Sequence, residues 1–333
     1  MWGWRRMRRG YEPLLQSWAV RLTGVMHMSV AGAETRSRFL DLRALAALEH
    51  MRFTTRHRID GVYSGRHQSR LQGGAGEFVD YREYTEGEDL RRLDWKVLAR
   101  TGRAYTRLYQ DETNLLCTLA IDASGSMRFG SRGRGDSRGS KLAYVQYLAT
   151  ALSHVISRQQ DQVGLALLTD KLAEMIAPGS TRGHIMQIQE RIENIQTEPI
   201  TRMADGLRDL FERSPRRGVL MLMSDFLDQD LEAVFASLRL FRYQFWEVII
   251  LHVIHPDEER LPEGLAYRFD GLENEGHVDC TPGDIRAAYQ QRFSAHAASI
   301  RTSALAAGCD YRRVSTAIPY LQTLAGFLVE RSG

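Results

Sequence analysis

Residues 116–127 read Leu-Cys-Thr-Leu-Ala-Ile-Asp-Ala-Ser-Gly-Ser-Met. An apolar run stops at Asp122, and two serines follow at alternate positions, Ser124 and Ser126. A run of this length, flanked by turn residues, reads as a strand buried on both faces. The oxygens that end it need a separate reason. Ser and Asp are good helix caps, so capping is one reading. The other is a cation loop. Mg²⁺ takes about six oxygens at roughly 2.0–2.1 Å, several from water, and needs neither thiol nor imidazole. Alternate positions on an extended loop point the same way, so Ser124 and Ser126 can face one point. Asp122 supplies charge, and Gly125 is expected to allow the turn between the serines.

The same strand-then-Asp pattern recurs downstream. "GVLMLMSD" (218–225) is a buried strand ending in Asp225. "QVGLALLT" (162–169) and "FWEVIILHVI" (245–254) are two more, and "LAEMIAP" (172–178) pairs back on 162–169 across a turn at Asp170–Lys171. Between them lie helical patterns. "KLAYVQYLATALSHVISR" (141–158) carries the 3.6-residue period, with Leu142, Val145, Leu148, Ala149, Leu152 and Ile156 on one face. Further helices are predicted over 181–194, 203–213, the segment "LEAVFASLRLF", 284–308 with Gly308 as its C-terminal cap, and beyond Pro319, with a short strand "CDYRRV" between the last two. Alternating apolar strands and helices predict an α/β fold with a doubly wound, mostly parallel sheet. Sites in such sheets lie at the carboxyl ends of the strands, where Asp122 and Asp225 both fall. Thr201, in "EPITRMADGLRDL" at a helix start, is a further oxygen candidate, with Thr169 behind it.

Composition bounds the function classes. Of 333 residues 43% are apolar and 26% charged, with a formal net charge of +3, ordinary for a globular protein and too balanced to argue for nucleic acid. The first 30 residues are basic: Arg5, Arg6, Arg8, Arg9 and Arg21 stand against Glu12. Arg21 and His27 break the following stretch, so it makes a poor signal core; Met26 or Met28 is an alternative start. No apolar run approaches the roughly 18–20 residues of a membrane helix. Cys117, Cys280 and Cys309 lack CxxC spacing and read as buried thiols of a cytoplasmic protein.

Ahead of the α/β region, residues 39–50 have helical spacing. The block "EFVDYREYTEGEDLRRLDWKVLARTGRAYTRLYQDE" (77–112) is dense in charge, with Phe78, Val79, Tyr81 and Tyr84 in extended pieces. The expected organisation is a basic disordered arm (1–38), a helix and charged β-rich extension (39–112), and the α/β domain (113–330). The charged block reads as a structural platform or a partner surface, with Asp94, Trp95 and Arg100 in one network.

Asp122-x-Ser124-x-Ser126, Thr201 and Asp225, in that order, resemble the metal-ion-dependent adhesion site of von Willebrand factor A domains. The charged block, then "LAIDASGSM", "QVGLALLTD" and "SDFLD" (224–228), resemble the bacterial family labelled domain of unknown function 58 over about residues 40–329. This resemblance implies a von Willebrand factor A-like, Rossmann-like sheet. It also implies Mg²⁺ or Mn²⁺ held by Asp122, Ser124, Ser126, Thr201 and Asp225, with a vacancy for a partner's Asp or Glu. It further implies a MoxR-type AAA+ ATPase, or that ATPase's client, as partner in chaperone-like maturation of a complex. Two positions depart from the pattern: Ile200 precedes Thr201 where Gly is usual, and Phe226 follows Asp225 where many A domains have Gly.

A metal-assisted hydrolase or phosphatase is the alternative. An aspartyl-phosphate enzyme would want Asp at position 124, and a serine hydrolase wants Gly-x-Ser-x-Gly; neither is present. His252 and His255 fall on opposite strand faces, which disfavours a zinc pair. "QGGAGEF" lacks the Lys-Ser/Thr of a phosphate loop. Arg134-Gly135-Asp136 sits in a Gly/Ser/Arg loop and reads as a chance tripeptide within a basic rim.

Overall fold

The computed structural model describes residues 2–6, 37–55, 67–68, 77–85, 93–110, 112–113, 115–130, 139–198, 202–215, 217–228, 230–261, 263, 267–273 and 276–332. Thr201, Arg134-Gly135-Asp136, most of the basic arm and the "QGGAG" segment lie outside them.

The chain begins with β1 (Trp2–Arg6), α1 (Leu42–Ala46), β2 (His67–Gln68), β3 (Glu77–Glu83), α2 (Trp95–Thr101), β4 (Tyr105–Gln110) and β5 (Glu112–Thr113). The α/β part follows: β6 (Leu116–Asp122), α3 (Lys141–Arg158), β7 (Gln162–Leu168), β8 (Leu172–Gly179), α4 (Arg182–Glu193), α5 (Met203–Arg213), β9 (Val219–Ser224), α6 (Leu231–Tyr243) and β10 (Glu247–Ile254). Last come α7 (Pro256–Glu259), β11 (Tyr267–Gly271), β12 (His277–Cys280), α8 (Pro282–Ala306), β13 (Asp310–Ser315) and α9 (Tyr320–Ser332).

Six strands form one sheet in the order β13-β10-β9-β6-β7-β8. All neighbours are parallel except β8, which returns antiparallel on β7 through the predicted turn at Asp170–Lys171. This is the doubly wound α/β architecture expected from the sequence. Side chains alternate across a strand. Cys117, Leu119 and Ile121 of β6 join the core under α3, α4 and α9, while Ala120 joins the second core under α5, α6 and α8. Both faces are covered, which is why β6, β9 and β10 are mostly apolar rather than alternating. Each Leu or Ile so buried contributes about 1.5–3 kcal/mol.

The order of crossing sets the site. From β6 the chain moves to β7 and β8 on one side, then crosses to β9 and β10 on the other. Their carboxyl ends therefore open at a topological switch point between β6 and β9. Helix α3 starts where expected: the Ser140 hydroxyl accepts from Ala143 N at 3.1 Å.

The N-terminal region differs in detail from expectation. Trp2–Arg6, read as part of a disordered arm, pair antiparallel with β11 as β1. Trp2 and Trp4 alternate with Gly3 and Arg5, a strand period. The helix expected over 39–50 is only five residues long. Turns follow it and bring Leu48 and Phe53 into the same core as β6 and α3. Arg331 secures this segment, donating to the Thr54 carbonyl at 2.7 Å and to Asp310 at 3.1 Å, and pairing with Glu247. In the charged block, Asp94 caps α2 by accepting from Lys96 N at 2.9 Å and Val97 N at 3.2 Å, and it receives the Tyr81 hydroxyl at 3.1 Å. Asp94 thus has a structural role. Trp95, beside it, is exposed.

Candidate functional site

β6 ends in Asp122 and β9 in Ser224, and the two strands are parallel neighbours. Their ends are tied directly: Ser224 Oγ donates to Asp122 Oδ2 at 2.6 Å. The other carboxylate oxygen, Oδ1, accepts from Ser124 N at 2.9 Å and so folds the loop back over the strand end. The chain then makes a single 3-10 turn, Gly125–Arg128, in which Ser124 Oγ and Ser126 Oγ lie 2.9 Å apart. Asp225 follows Ser224, and its carboxylate feels the Ser126 hydroxyl, while Asp122 feels its charge. Asp122, Ser124, Ser126 and Asp225 are thus brought together, and all four are buried.

Thr201 is outside the described residues, but its flanks are placed. Glu198 N donates to Ala123 O at 2.9 Å, and Arg202 N donates to Thr169 O at 3.2 Å. Thr169 itself sits in the β7–β8 turn with its hydroxyl on Asp170, at 3.1 Å.

Two features change the local reading. Gly125 has no left-handed backbone, so the turn does not require glycine. Close approach requires it: a Cβ there would lie 2.4 Å from Leu272 O. Phe226, where many A domains have Gly, adopts φ 55° in the left-handed region. A buried stack on Phe235, ring centroids 5.9 Å apart, holds it there.

Sequence reasoning missed three charged partners. Lys141 is wholly buried and pairs with both Asp225 and Glu258. A lysine in the first turn of a helix opposes the macrodipole, a signal that it answers a nearby negative charge. Glu258 is the third residue of α7, where its side chain accepts from His255 N at 2.8 Å in a capping box. Glu273, between β11 and β12, accepts from Ser126 N at 3.1 Å.

The electrostatics follow from burial. The Asp122 carboxyl is pushed up to about 7, first by burial and then by the charge of Asp225, against the hydrogen bonds from Ser224 and Ser124. Burial also acts to raise Asp225, but the Lys141 ammonium more than offsets it, leaving Asp225 below the usual carboxylate range. For Glu258 burial wins, and its carboxyl stays above that range. Ionised, the three buried carboxylates against one ammonium leave two negative charges. Such a cluster requires protons or a cation.

The donor set fits a hard divalent cation in its chemistry. Two neighbouring oxygens of an octahedral Mg²⁺ shell at about 2.0–2.1 Å lie roughly 2.9 Å apart, the separation of the two serine hydroxyls. Among the described residues no group of three or more His, Cys, Asp or Glu side chains is placed to hold a metal ion. The set therefore depends on hydroxyls, which suit Mg²⁺ or Mn²⁺ and not zinc. His252 and His255 go separate ways: His252 Nδ1 meets the Tyr311 hydroxyl at 2.7 Å, and His255 Nδ1 caps α7 by accepting from Asp257 N at 3.2 Å.

Architecture and loop together define a doubly wound α/β protein with an oxygen-rich site at its switch point. The chain belongs to the family described as Protein of unknown function DUF58, whose model matches residues 80–299. It is 26% identical over 304 residues to the uncharacterized protein Rv1480 of Mycobacterium tuberculosis (strain ATCC 25618 / H37Rv), covering 87% of this chain and 90% of that one. An uncharacterized protein of Mycobacterium bovis, Mb1516, matches to the same extent. Among solved structures it is similar to BatB from Bacteroides thetaiotaomicron, at TM-score 0.40 and 16% identity, covering 66% of this chain and 99% of that one. It is also similar to the SpRpn10 VWA domain, at TM-score 0.37 and 11% identity, covering 63% and 94%. Among the described residues no helix is long and apolar enough to cross a membrane.

Proposed function

We propose that this chain is a non-catalytic, cation-dependent protein-interaction module. Asp122, Ser124, Ser126 and Asp225, with Thr201 as the remaining candidate, would hold Mg²⁺ or Mn²⁺. The bound ion would supply a positive docking point for a partner's carboxylate. The observation that supports this most directly is the joint burial of two acids and two hydroxyls at adjacent strand ends, the hydroxyls at octahedral spacing. The chain's own residues do the preparatory work. Ser224 and the Ser124 amide orient Asp122, Lys141 holds Asp225 ionised, and the β6 and β9 ends fix both acids on a rigid sheet. The partner proposed is a MoxR-type AAA+ ATPase or its client, in chaperone-like maturation of a complex, as the family resemblance implies.

The hydrolase or phosphatase reading gains no support. The serine hydroxyls bond each other rather than a base, and both Asp122 oxygens are engaged by donors.

Thermal unfolding with MgCl₂ or MnCl₂ against EDTA tests the reading. A ligand at 100 times its Kd stabilises by about 2.7 kcal/mol, so the wild type should gain roughly 4 °C. Asp122→Ala and Ser126→Ala should gain nothing. Equal gains in wild type and Asp122→Ala would remove the cation from this loop. Pull-down of the ATPase should be lost in EDTA.

A further inference from the structure

The oxygen-rich loop is covered by the chain itself. β11 and β12 do not join the main sheet; they form a separate three-stranded sheet with β1. The hairpin between them is closed by Gly271 N donating to Gly276 O at 2.7 Å, with Gly276 in the left-handed region at φ 84°. Leu272 and Glu273, just after β11, meet the Asp-x-Ser-x-Ser loop at three points. Glu273 Oε1 accepts from Ser126 N at 3.1 Å, Arg128 Nη2 donates to Leu272 O at 3.1 Å, and Leu272 O occupies the space that a Cβ at Gly125 would fill. Ser124 and Ser126 are left 2% and 1% exposed, too closed for a partner's side chain to reach them directly.

We propose that Glu273 is the resident carboxylate of this site, held by the β11–β12 hairpin where a partner's Asp or Glu would otherwise enter. The inference rests on the cation-site reading above and deepens it. Glu273 presents the chemistry expected of the partner, a carboxylate, to the residue whose hydroxyl is a proposed ligand. A carboxylate held at this point can complete a cation's oxygen shell from within the chain. The hairpin should therefore close when the ion binds and loosen when it leaves. An acidic partner would engage by displacing it.

The test is hydrogen exchange of peptides covering 123–130 and 267–280, with and without Mn²⁺, beside Mn²⁺ titration by electron paramagnetic resonance. The variants are Glu273→Gln, which keeps a hydrogen-bond acceptor for Ser126 N but removes the charge, and Asp122→Ala. In the wild type, Mn²⁺ should slow exchange of the hairpin about tenfold. Glu273→Gln should bind Mn²⁺ about tenfold more weakly and lose the Mn²⁺ dependence of hairpin exchange, with its circular dichroism unchanged. Hairpin exchange indifferent to Mn²⁺ in the wild type, or a Glu273→Gln protein that responds as the wild type does, would make Glu273 an ordinary loop contact and overturn the proposal. Undiminished Mn²⁺ binding by Asp122→Ala is a different result: it would overturn the cation site itself.

Discussion

Lys141→Met isolates the electrostatic core of the site. Methionine fills nearly the same volume as the lysine stem and removes the ammonium. In the wild type that ammonium has no exposed surface, serves two carboxylates that are themselves buried, and lies 5.7 Å from the Phe129 ring centroid. Its burial acts to lower its pKa, yet Asp225 and Glu258 more than offset this and hold it above the ordinary lysine value. Without it, Asp225 and Glu258 face each other with no counter-charge. Breaking a buried pair by removing one partner costs about 3–5 kcal/mol, so Tm should fall by roughly 4–7 °C. Both stranded carboxyls would have pKa values raised above their unfolded values. Carboxyls of that kind contribute stability at low pH and lose it as pH rises, so the variant should be worst above neutrality. Adding Asp225→Asn and Glu258→Gln removes the stranded charge and should recover most of the loss. Equilibrium denaturation in EDTA, across pH, measures all three effects. A loss under about 1 kcal/mol, or no recovery in the triple variant, would refute the claim that Lys141 neutralises this cluster.

Two further outcomes are expected. Burial pulls His252 from 6.5 down to about 4, against the opposing charge of Asp225, so the unfolded chain takes up a proton that the folded one refuses. Stability present above pH 6.5 should be lost as pH falls through 4, by about 3 kcal/mol; His252→Asn should flatten that limb of the stability profile, and an unchanged slope would exclude His252 as its source. Arg331→Met should cost about 3–5 kcal/mol, because it strands Glu247 in the core, and should expose residues 37–55 to limited proteolysis. Cleavage no faster than in the wild type would show that Phe53, not Arg331, holds the segment.

What the sequence made legible was the local part. β6, β9 and β10 announce themselves because burial on both faces leaves no polar alternation. Helix α3 does so because its period runs unbroken from Leu142 to Ile156. Asp122, Ser124 and Ser126 lie within five residues, so their proximity was legible, but a 3-10 turn rather than an extended loop brings the two hydroxyls together. The β11–β12 hairpin gave little warning, since its strands are only five and four residues long and those of β12 are largely exposed. Thr201 and its role are not addressed by the described residues.

The partners that escaped notice are all distant in sequence. Lys141 meets Glu258 across 117 positions, and Ser126 meets Glu273 across 147. No window of periodicity spans such a distance, and Glu258 has an ordinary local reason, its capping box, to be where it is. Gly125 shows the limit most directly. Between two serines it reads as a turn residue, yet its backbone does not need glycine, and the missing Cβ answers a carbonyl at Leu272. Lys141 is the case where a local rule could have spoken, since its position against the helix dipole is costly without an acid nearby. A residue that violates local preference inside a well-formed element points to a long-range partner. Here that partner is Asp225, the second acid of the site.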